Sequence, residues 1–191
     1  ELAPNPSASS KSISIEVNDM IKKRLWHIAG VGAMGTVLAA SFCRTGQSVH
    51  LILKNEEQVA TYEHHSLRLI AEGIDFSAHP PASSLQTLSQ DPIDVLICCT
   101  KSYDVTALLI ALGSRLTEHS MIVLIHNGVG VLDEIAKQLP HLRIISGVST
   151  LGAYIDHPYT ARAFLGGAVH LGISRGDFSV DEIDELNTAF T

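Results

Sequence analysis

The sequence predicts a doubly wound α/β domain, a parallel sheet with helices on both faces. Three observations lead there. From Arg24 onward, short apolar β-branched runs alternate with amphipathic stretches of helical length. The runs Val95–Cys99 and Met121–Ile125 are apolar throughout, as strands are when both faces of their sheet are covered. Helix-length connections between successive strands call for parallel pairing through right-handed crossovers.

Taken in order, Leu25–Ala29 reads as the first strand and Gly30–Gly35 as a glycine loop. A helix follows over roughly Met34–Arg44, with Gly46 as its stop. Val49–Leu53 reads as a second strand and Glu56–His64 as a helix. Ser66–Ala71 and Ile74–Phe76 flank a turn at Glu72–Gly73, and Pro80–Pro81 breaks the chain after them. Asp94–Cys99, Met121–His126 and Ile144–Ser149 read as strands, with helices over Asp104–Leu112 and Leu132–Leu139 between them. Beyond Gly152 the rhythm changes. Short runs at Tyr154, Thr160–Leu165 and Ala168–Gly172 suggest a meander or an edge extension of the sheet. Val180–Phe190 reads as the start of a helix capped by Ser179, with acidic residues in its first turn.

Composition narrows the function. Of 191 residues, 13 are Lys or Arg and 20 are Asp or Glu, a net charge of −7 that argues against nucleic acid as a bulk partner. Apolar residues at 46% and charged residues at 17% fit a folded core. No apolar run approaches the roughly 20 residues of a membrane span. The three cysteines, Cys43, Cys98 and Cys99, cannot close a disulfide framework and show no Cys-x-x-Cys spacing, so no metal site is expected. A reducing, cytoplasmic setting is the simplest expectation. Residues 1–19, rich in Ser, Pro and Asn, read as a flexible extension, with Met20 an alternative start. Residues 20–175 then form the domain, and residues 176–191 begin a connecting helix.

The strongest chemical signal is Gly30-Val31-Gly32-Ala33-Met34-Gly35, a Gly-x-Gly-x-x-Gly that follows a strand and opens a helix. That context is what a dinucleotide-binding, Rossmann-like fingerprint requires. Gly30 permits the tight turn, Gly32 lets backbone approach a pyrophosphate, and Gly35 lets the helix pack closely on the sheet. The ligand's charge would rest on the helix's unpaired amides and positive dipole end. Lys54 closes the second strand, where an acid would hold the ribose hydroxyl of NAD and a cation suits the 2′-phosphate of NADP. Glu56 and Glu57 are the counter-argument, since a two-residue shift would restore an acid. Two further positions lie past strand ends: Thr100-Lys101, and His126-Asn127-Gly128-Val129-Gly130. Asn127 both donates and accepts, so it suits a carboxamide or a substrate hydroxyl. On spacing alone, a bare turn, a solvated Lys and a turn Asn remain open as readings of these positions.

The segment Trp26–Gly35, then Cys99-Thr100-Lys101-Ser102, then His126–Gly130, resembles the amino-terminal domain of ketopantoate reductases in order and spacing. Gly147–Ala153 and Val169-His170-Leu171-Gly172 extend the resemblance, which covers about residues 20 to 172. It implies that Gly30, Val31, Gly32, Ala33, Met34 and Gly35 bind the NADP pyrophosphate and that Lys54 faces the 2′-phosphate. It also implies that Lys101 contacts the cofactor, that Asn127 lies between nicotinamide and substrate, and that backbone near Ala153 lines the cofactor. Family members often carry Arg where Lys54 stands, so selectivity for NADP is expected to be milder.

The resemblance further implies a catalytic, proton-donating Lys in a second, helical domain, at a position beyond Thr191. No Lys follows Lys137 here, so no catalytic residue is expected between Glu1 and Thr191. The implied activity is NADPH-dependent reduction of 2-dehydropantoate to pantoate, toward pantothenate and coenzyme A, with this chain as the cofactor-binding part and inactive alone. Two alternatives stand beside it: an NAD(P)-dependent dehydrogenase of another small 2-keto or 2-hydroxy acid, and a stand-alone NADP-binding regulatory module. The expected partners are a small keto acid and a second copy of the chain in a homodimer, with neither nucleic acid nor membrane.

Overall fold

The computed structural model describes residues 24–126, 130–164 and 166–190. The expected extension over residues 1–19 lies outside the described residues, as do Met20, Asn127, Gly128, Val129, Leu165 and Thr191. The expectation of a proton-donating Lys beyond Thr191 therefore also falls outside them. In chain order the elements are β1 (Leu25–Ala29), α1 (Ala33–Arg44), β2 (Ser48–Leu53), α2 (Glu56–Glu63), β3 (Leu67–Ala71), β4 (Ile74–Ala78), β5 (Ala82–Ser84) and β6 (Val95–Cys98). There follow α3 (Ser102–Leu112), β7 (Met121–Ile125), α4 (Val131–Gln138), β8 (Arg143–Ser149), β9 (Ala153–His157), β10 (Thr160–Ala163), β11 (Val169–Arg175) and α5 (Val180–Phe190). No helix among the described residues is long and apolar enough to cross a membrane.

The main sheet has the strand order β11-β8-β7-β6-β1-β2-β5. All neighbours are parallel except β11, which runs antiparallel to β8 at the edge. Alternation along β1 divides the core in two. Trp26 and Ile28 face α1, with Trp26 meeting Phe42 edge-to-face at 5.1 Å between ring centroids, whereas Ala29 faces the side covered by α3 and α4. The doubly wound expectation therefore holds. The helices begin and end within a residue or two of the sequence reading.

The carboxyl-terminal strands do something the sequence reading does not anticipate. β9 and β10 do not extend the main sheet; with β3 and β4 they form a second sheet, in the order β4-β3-β10-β9. Only β11 is the expected edge extension. This second sheet covers the outer side of α1, so α1 lies between two sheets. That explains its composition: Gly35, Thr36, Val37, Leu38, Ala39, Ala40 and Phe42 are all buried, as a helix must be apolar on most sides when both are covered. The outer face of the small sheet is polar, with Arg68 bonded to Asp75 through two hydrogen bonds and Arg162 to Asp156. The strand β5, three residues directly after the double proline, is also additional to the sequence reading and pairs with β2.

The last helix is held by its expected cap. The Glu182 amide donates to Ser179 Oγ at 3.2 Å, and the Ser179 amide donates back to Glu182 Oε2 at 2.9 Å, a reciprocal capping box. Leu186 and Ala189 are buried beneath it, and Phe190 meets Phe42 edge-to-face.

At the amino edge of the sheet, opposite the glycine loop, His27 and His50 are register partners on β1 and β2, their rings 5.4 Å apart. They line a cavity of about 340 Å³ that Arg24, Asp91 and Asp94 also border. Burial first, and the neighbouring His50 second, push the His27 pKa down to about 4, against a weaker opposing pull from Asp94. In this window the unfolded chain binds the proton and the folded chain does not, so stability falls as pH drops from about 6.5 toward about 4 and is unaffected above it. Between pH 7 and pH 5 the His27 contribution to that fall is expected to be about 2 kcal/mol. Unfolding free energies from urea denaturation at the two pH values should therefore converge by about that amount in the H27Q variant relative to the parent; an unchanged gap would contradict the assignment.

Candidate functional site

The switch point of the main sheet lies between β1 and β6, because the chain passes from β1 to β2 on one side and later returns to β6 on the other. Loops diverge there, leaving a crevice at the carboxyl edge. Gly30 enters it with φ +85°, and a Cβ at that position would sit 2.5 Å from the Thr100 amide nitrogen and 2.7 Å from the Cys99 carbonyl carbon. The two loops thus touch through backbone, joined just below by the Cys99 amide donating to the Ala29 carbonyl at 2.8 Å. A Cβ on Gly35 would run into the Gly30 carbonyl oxygen, so this glycine sets how closely α1 approaches the sheet.

Gly32 is different. It is extended, and nothing lies within 4 Å of where a Cβ would be, so its backbone faces open space. It is the N-cap of α1, contributes no side-chain cap, and no acidic residue stands in the first turn. The other described α-helices all carry an acid in their first turns: Glu56 and Glu57, Asp104, Asp133 and Glu134, or Asp181 and Glu182. The first amides of α1 therefore have neither a side-chain cap nor an acidic neighbour in the first turn, and the space over Gly32 is open. These residues fit the pyrophosphate of a dinucleotide. Val31 and Met34 are partly buried against the α1 side of the core, and Ser149 Oγ donates to Met34 Sδ at 3.8 Å, tying the end of β8 to the loop.

Lys54 is the first residue beyond β2, exposed at the same edge, since Ala29 pairs with Ile52 two residues before it. Its amide donates to Gln58 Oε1 at 3.0 Å, while the Gln58 amide donates to Asn55 Oδ1 at 2.9 Å, so its backbone is locked onto α2. Glu56 does not take its place. That carboxylate turns toward β5 and accepts from Thr87 Oγ1 at 3.1 Å and from Ser84 Oγ. Lys101 is the N-cap of α3, exposed, with its ammonium 5.8 Å from the centroid of the Tyr103 ring. Ala153 opens β9 and is partly buried against the core around α1. Asn127 lies outside the described residues.

The structure thus brings Gly30–Gly35, Thr100, Lys101 and Ser149 to one edge, with Lys54 beside them just past β2. Sequence reasoning gave Ser149 no role beyond a strand end within the Gly147–Ala153 resemblance, and it missed the Ser84–Thr87–Glu56 group, which has no local signature because β5 is so short. Among the described residues no group of three or more His, Cys, Asp or Glu side chains is placed to hold a metal. The Cys99 thiol, between Gly35 and Thr100, is pushed up to about 12 by burial, so it stays protonated and serves as packing.

The profile of the family described as ketopantoate reductase PanE/ApbA matches residues 26–176. The chain belongs to the ketopantoate reductase family. Among curated relatives, the 2-dehydropantoate 2-reductase of Saccharomyces cerevisiae is 32% identical over 146 residues, covering 68% of this chain and 38% of that protein. The enzyme of the same name from Lactococcus lactis is 29% identical, covering 75% and 46%. The chain therefore spans less than half the length of these two relatives. Among solved structures, the ternary complex of D-mandelate dehydrogenase with NADH and anilino(oxo)acetate superposes with a TM-score of 0.75 at 26% identity, over 87% of this chain and 53% of that one. The 2-dehydropantoate 2-reductase of Methylococcus capsulatus superposes with a TM-score of 0.71 at 24% identity, over 87% and 53%. That likeness carries the Rossmann-like fold.

Proposed function

We propose that this chain is the NADP(H)-binding part of a 2-dehydropantoate 2-reductase. The observation that carries the reading is the uncapped start of α1 under an open Gly32, next to an exposed Lys54 at the end of β2. Bound NADPH supplies a hydride to the ketone carbon. The residues of this chain hold and orient. Backbone amides at Gly30, Val31, Gly32, Ala33 and Met34 receive the pyrophosphate, and Gly35 keeps the helix close enough to aim them. Lys54 meets the 2′-phosphate as a point charge, and Lys101 supplies a second cation across the crevice. Asn127, with a donor and an acceptor on one side chain, orients the carboxamide or the substrate oxygen. Ala153 contributes backbone to the cofactor's surroundings.

The resemblance to ketopantoate reductases implies a proton-donating Lys in a second, helical domain, and no Lys follows Lys137 among the 191 residues. On this reading residues 20–175 are the cofactor domain, and residues 176–191, though packed on it through α5, lead out of it. The chain alone binds cofactor and turns over slowly, since a positioned general acid contributes about 10²–10⁴-fold in rate.

Calorimetric titration tests this directly. NADPH is expected to bind roughly 10- to 100-fold more tightly than NADH, and the K54A variant to lose that preference while keeping its NADH affinity. The likeness to D-mandelate dehydrogenase, solved with NADH, favours a second reading, a dehydrogenase of another 2-keto or 2-hydroxy acid that uses NAD. Equal binding of the two cofactors, unchanged in K54A, would support that alternative. Binding of neither would overturn both.

A further inference from the structure

We infer that the Ser84–Thr87 hydroxyl pair is a specificity device for the cofactor's ribose: it draws the Glu56 carboxylate away from the charge field of Lys54. The inference rests on the dinucleotide reading above and adds a determinant of selectivity to it.

Glu56 begins α2 two residues after Lys54, at the edge where the adenosine ribose of a dinucleotide belongs. A free carboxylate there has two effects. It accepts hydrogen bonds from ribose hydroxyls, which favours NAD, and it repels a 2′-phosphate, which disfavours NADP. In this chain the carboxylate is committed elsewhere. Its Oε1 accepts from Ser84 Oγ and from Thr87 Oγ1, on the side of α2 that faces β5.

The clamp is itself built. Ser84 is fully buried, its amide donates to Thr87 Oγ1 at 3.1 Å, and its hydroxyl accepts from the Gln86 amide at 3.1 Å. Both hydroxyls are therefore aimed by backbone before Glu56 arrives. On the other side of the same turn, Gln58 and Asn55 fix the Lys54 backbone. Among the described residues no ion pair joins Lys54 to Glu56 or Glu57. One turn thus leaves a cation exposed at the strand end and holds the anion, itself exposed, on the side of β5. The acid two residues past the strand end is turned away from the site.

The test is titration of the chain with NADPH and NADH in the parent and three variants. In S84A/T87A the released carboxylate lowers the NADPH-to-NADH affinity ratio by about tenfold. E56Q in the parent background leaves the ratio within about twofold, because the clamp already holds the carboxylate on the β5 side. E56Q added to S84A/T87A restores the parental ratio, a rescue that simple loss of packing does not produce. An S84A/T87A ratio equal to the parent's, or a fall that E56Q fails to reverse, overturns the inference. If S84A does not fold, T87A with and without E56Q is read the same way, with a smaller fall and the same rescue. Parent chain that binds neither dinucleotide overturns the dinucleotide reading instead, so the two failures are distinct.

Discussion

Replacing Gly30 with alanine is expected to destabilise the fold by about 3 kcal/mol or more and to abolish dinucleotide binding at micromolar protein. Two costs act together. The backbone at φ +85° is one that L side chains rarely adopt, and the new methyl would lie 2.5 Å from the Thr100 amide nitrogen. Backbone on both sides leaves no rotamer to escape through. Alanine at Gly35 meets the Gly30 carbonyl in the same way, without the positive φ, and is expected to cost about 1–3 kcal/mol. The informative contrast is Gly32→Ala. There the backbone is extended and the space is open, so the only stability cost is a poorer N-cap, about 1 kcal/mol or less. On the proposed reading its methyl stands where the pyrophosphate approaches, and NADPH affinity should fall at least about tenfold. Thermal melts paired with titrations separate the three. G32A that unfolds like G30A, or that binds like the parent, would contradict the division of roles.

Arg143→Ala is expected to cost about 3 kcal/mol, the largest loss of any single surface-proximal side chain. Arg143 begins β8, and its guanidinium gathers the carboxyl-terminal segment. It bonds Glu182 through both nitrogens, at 2.8 and 3.1 Å, the Asp177 carbonyl at 3.0 Å and the His119 carbonyl at 2.5 Å, and it lies over the Phe178 ring. The pair is mostly buried, with side-chain exposures of 17% and 20%. Hydrogen bonding to Arg143 is the main cause that holds Glu182 down at about 2. Because the folded value is depressed, this stabilisation is complete above the ordinary carboxylate range and is lost as pH falls from about 4.5 toward about 2. Chemical denaturation of R143A and E182Q should show R143A the weaker, since it leaves the Asp177 and His119 carbonyls without their donor and Glu182 without its cation. Equal, near-zero losses would mean that α5 is held by its other contacts, the buried Leu186 and Ala189, Phe190 against Phe42, and the Arg24–Glu185 pair.

How much of this was legible in the sequence depends on how local each interaction is. The β1–α1–β2 unit with its glycine loop was readable because strand, turn and helix signals follow one another within about 30 residues. Lys54 was readable for the same reason, as the residue at a strand end. The second sheet was not. β10 pairs with β3, whose partner residues lie more than 90 positions away, and short strands at that distance carry no periodicity that names a partner. The clamp on Glu56 reaches across 28 residues to Ser84, and Arg143 reaches 39 to Glu182. Each is a polar contact that only the closed fold creates. Polar side chains at such separations show their type in a sequence but not their partner.

The burial of α1 between two sheets has a consequence for how the chain is made. During synthesis the glycine loop and α1 emerge among the first described residues, but β9, β10 and α5, which complete their cover, lie between Ala153 and Phe190. Until those residues leave the ribosome, α1 presents Val37, Leu38 and Phe42 without their cover, a surface suited to holding by a chaperone. The glycine loop is among the first of these parts translated and the cover of its helix among the last, so on the proposed reading nucleotide binding by nascent chains should switch on only once β9, β10 and α5 have emerged.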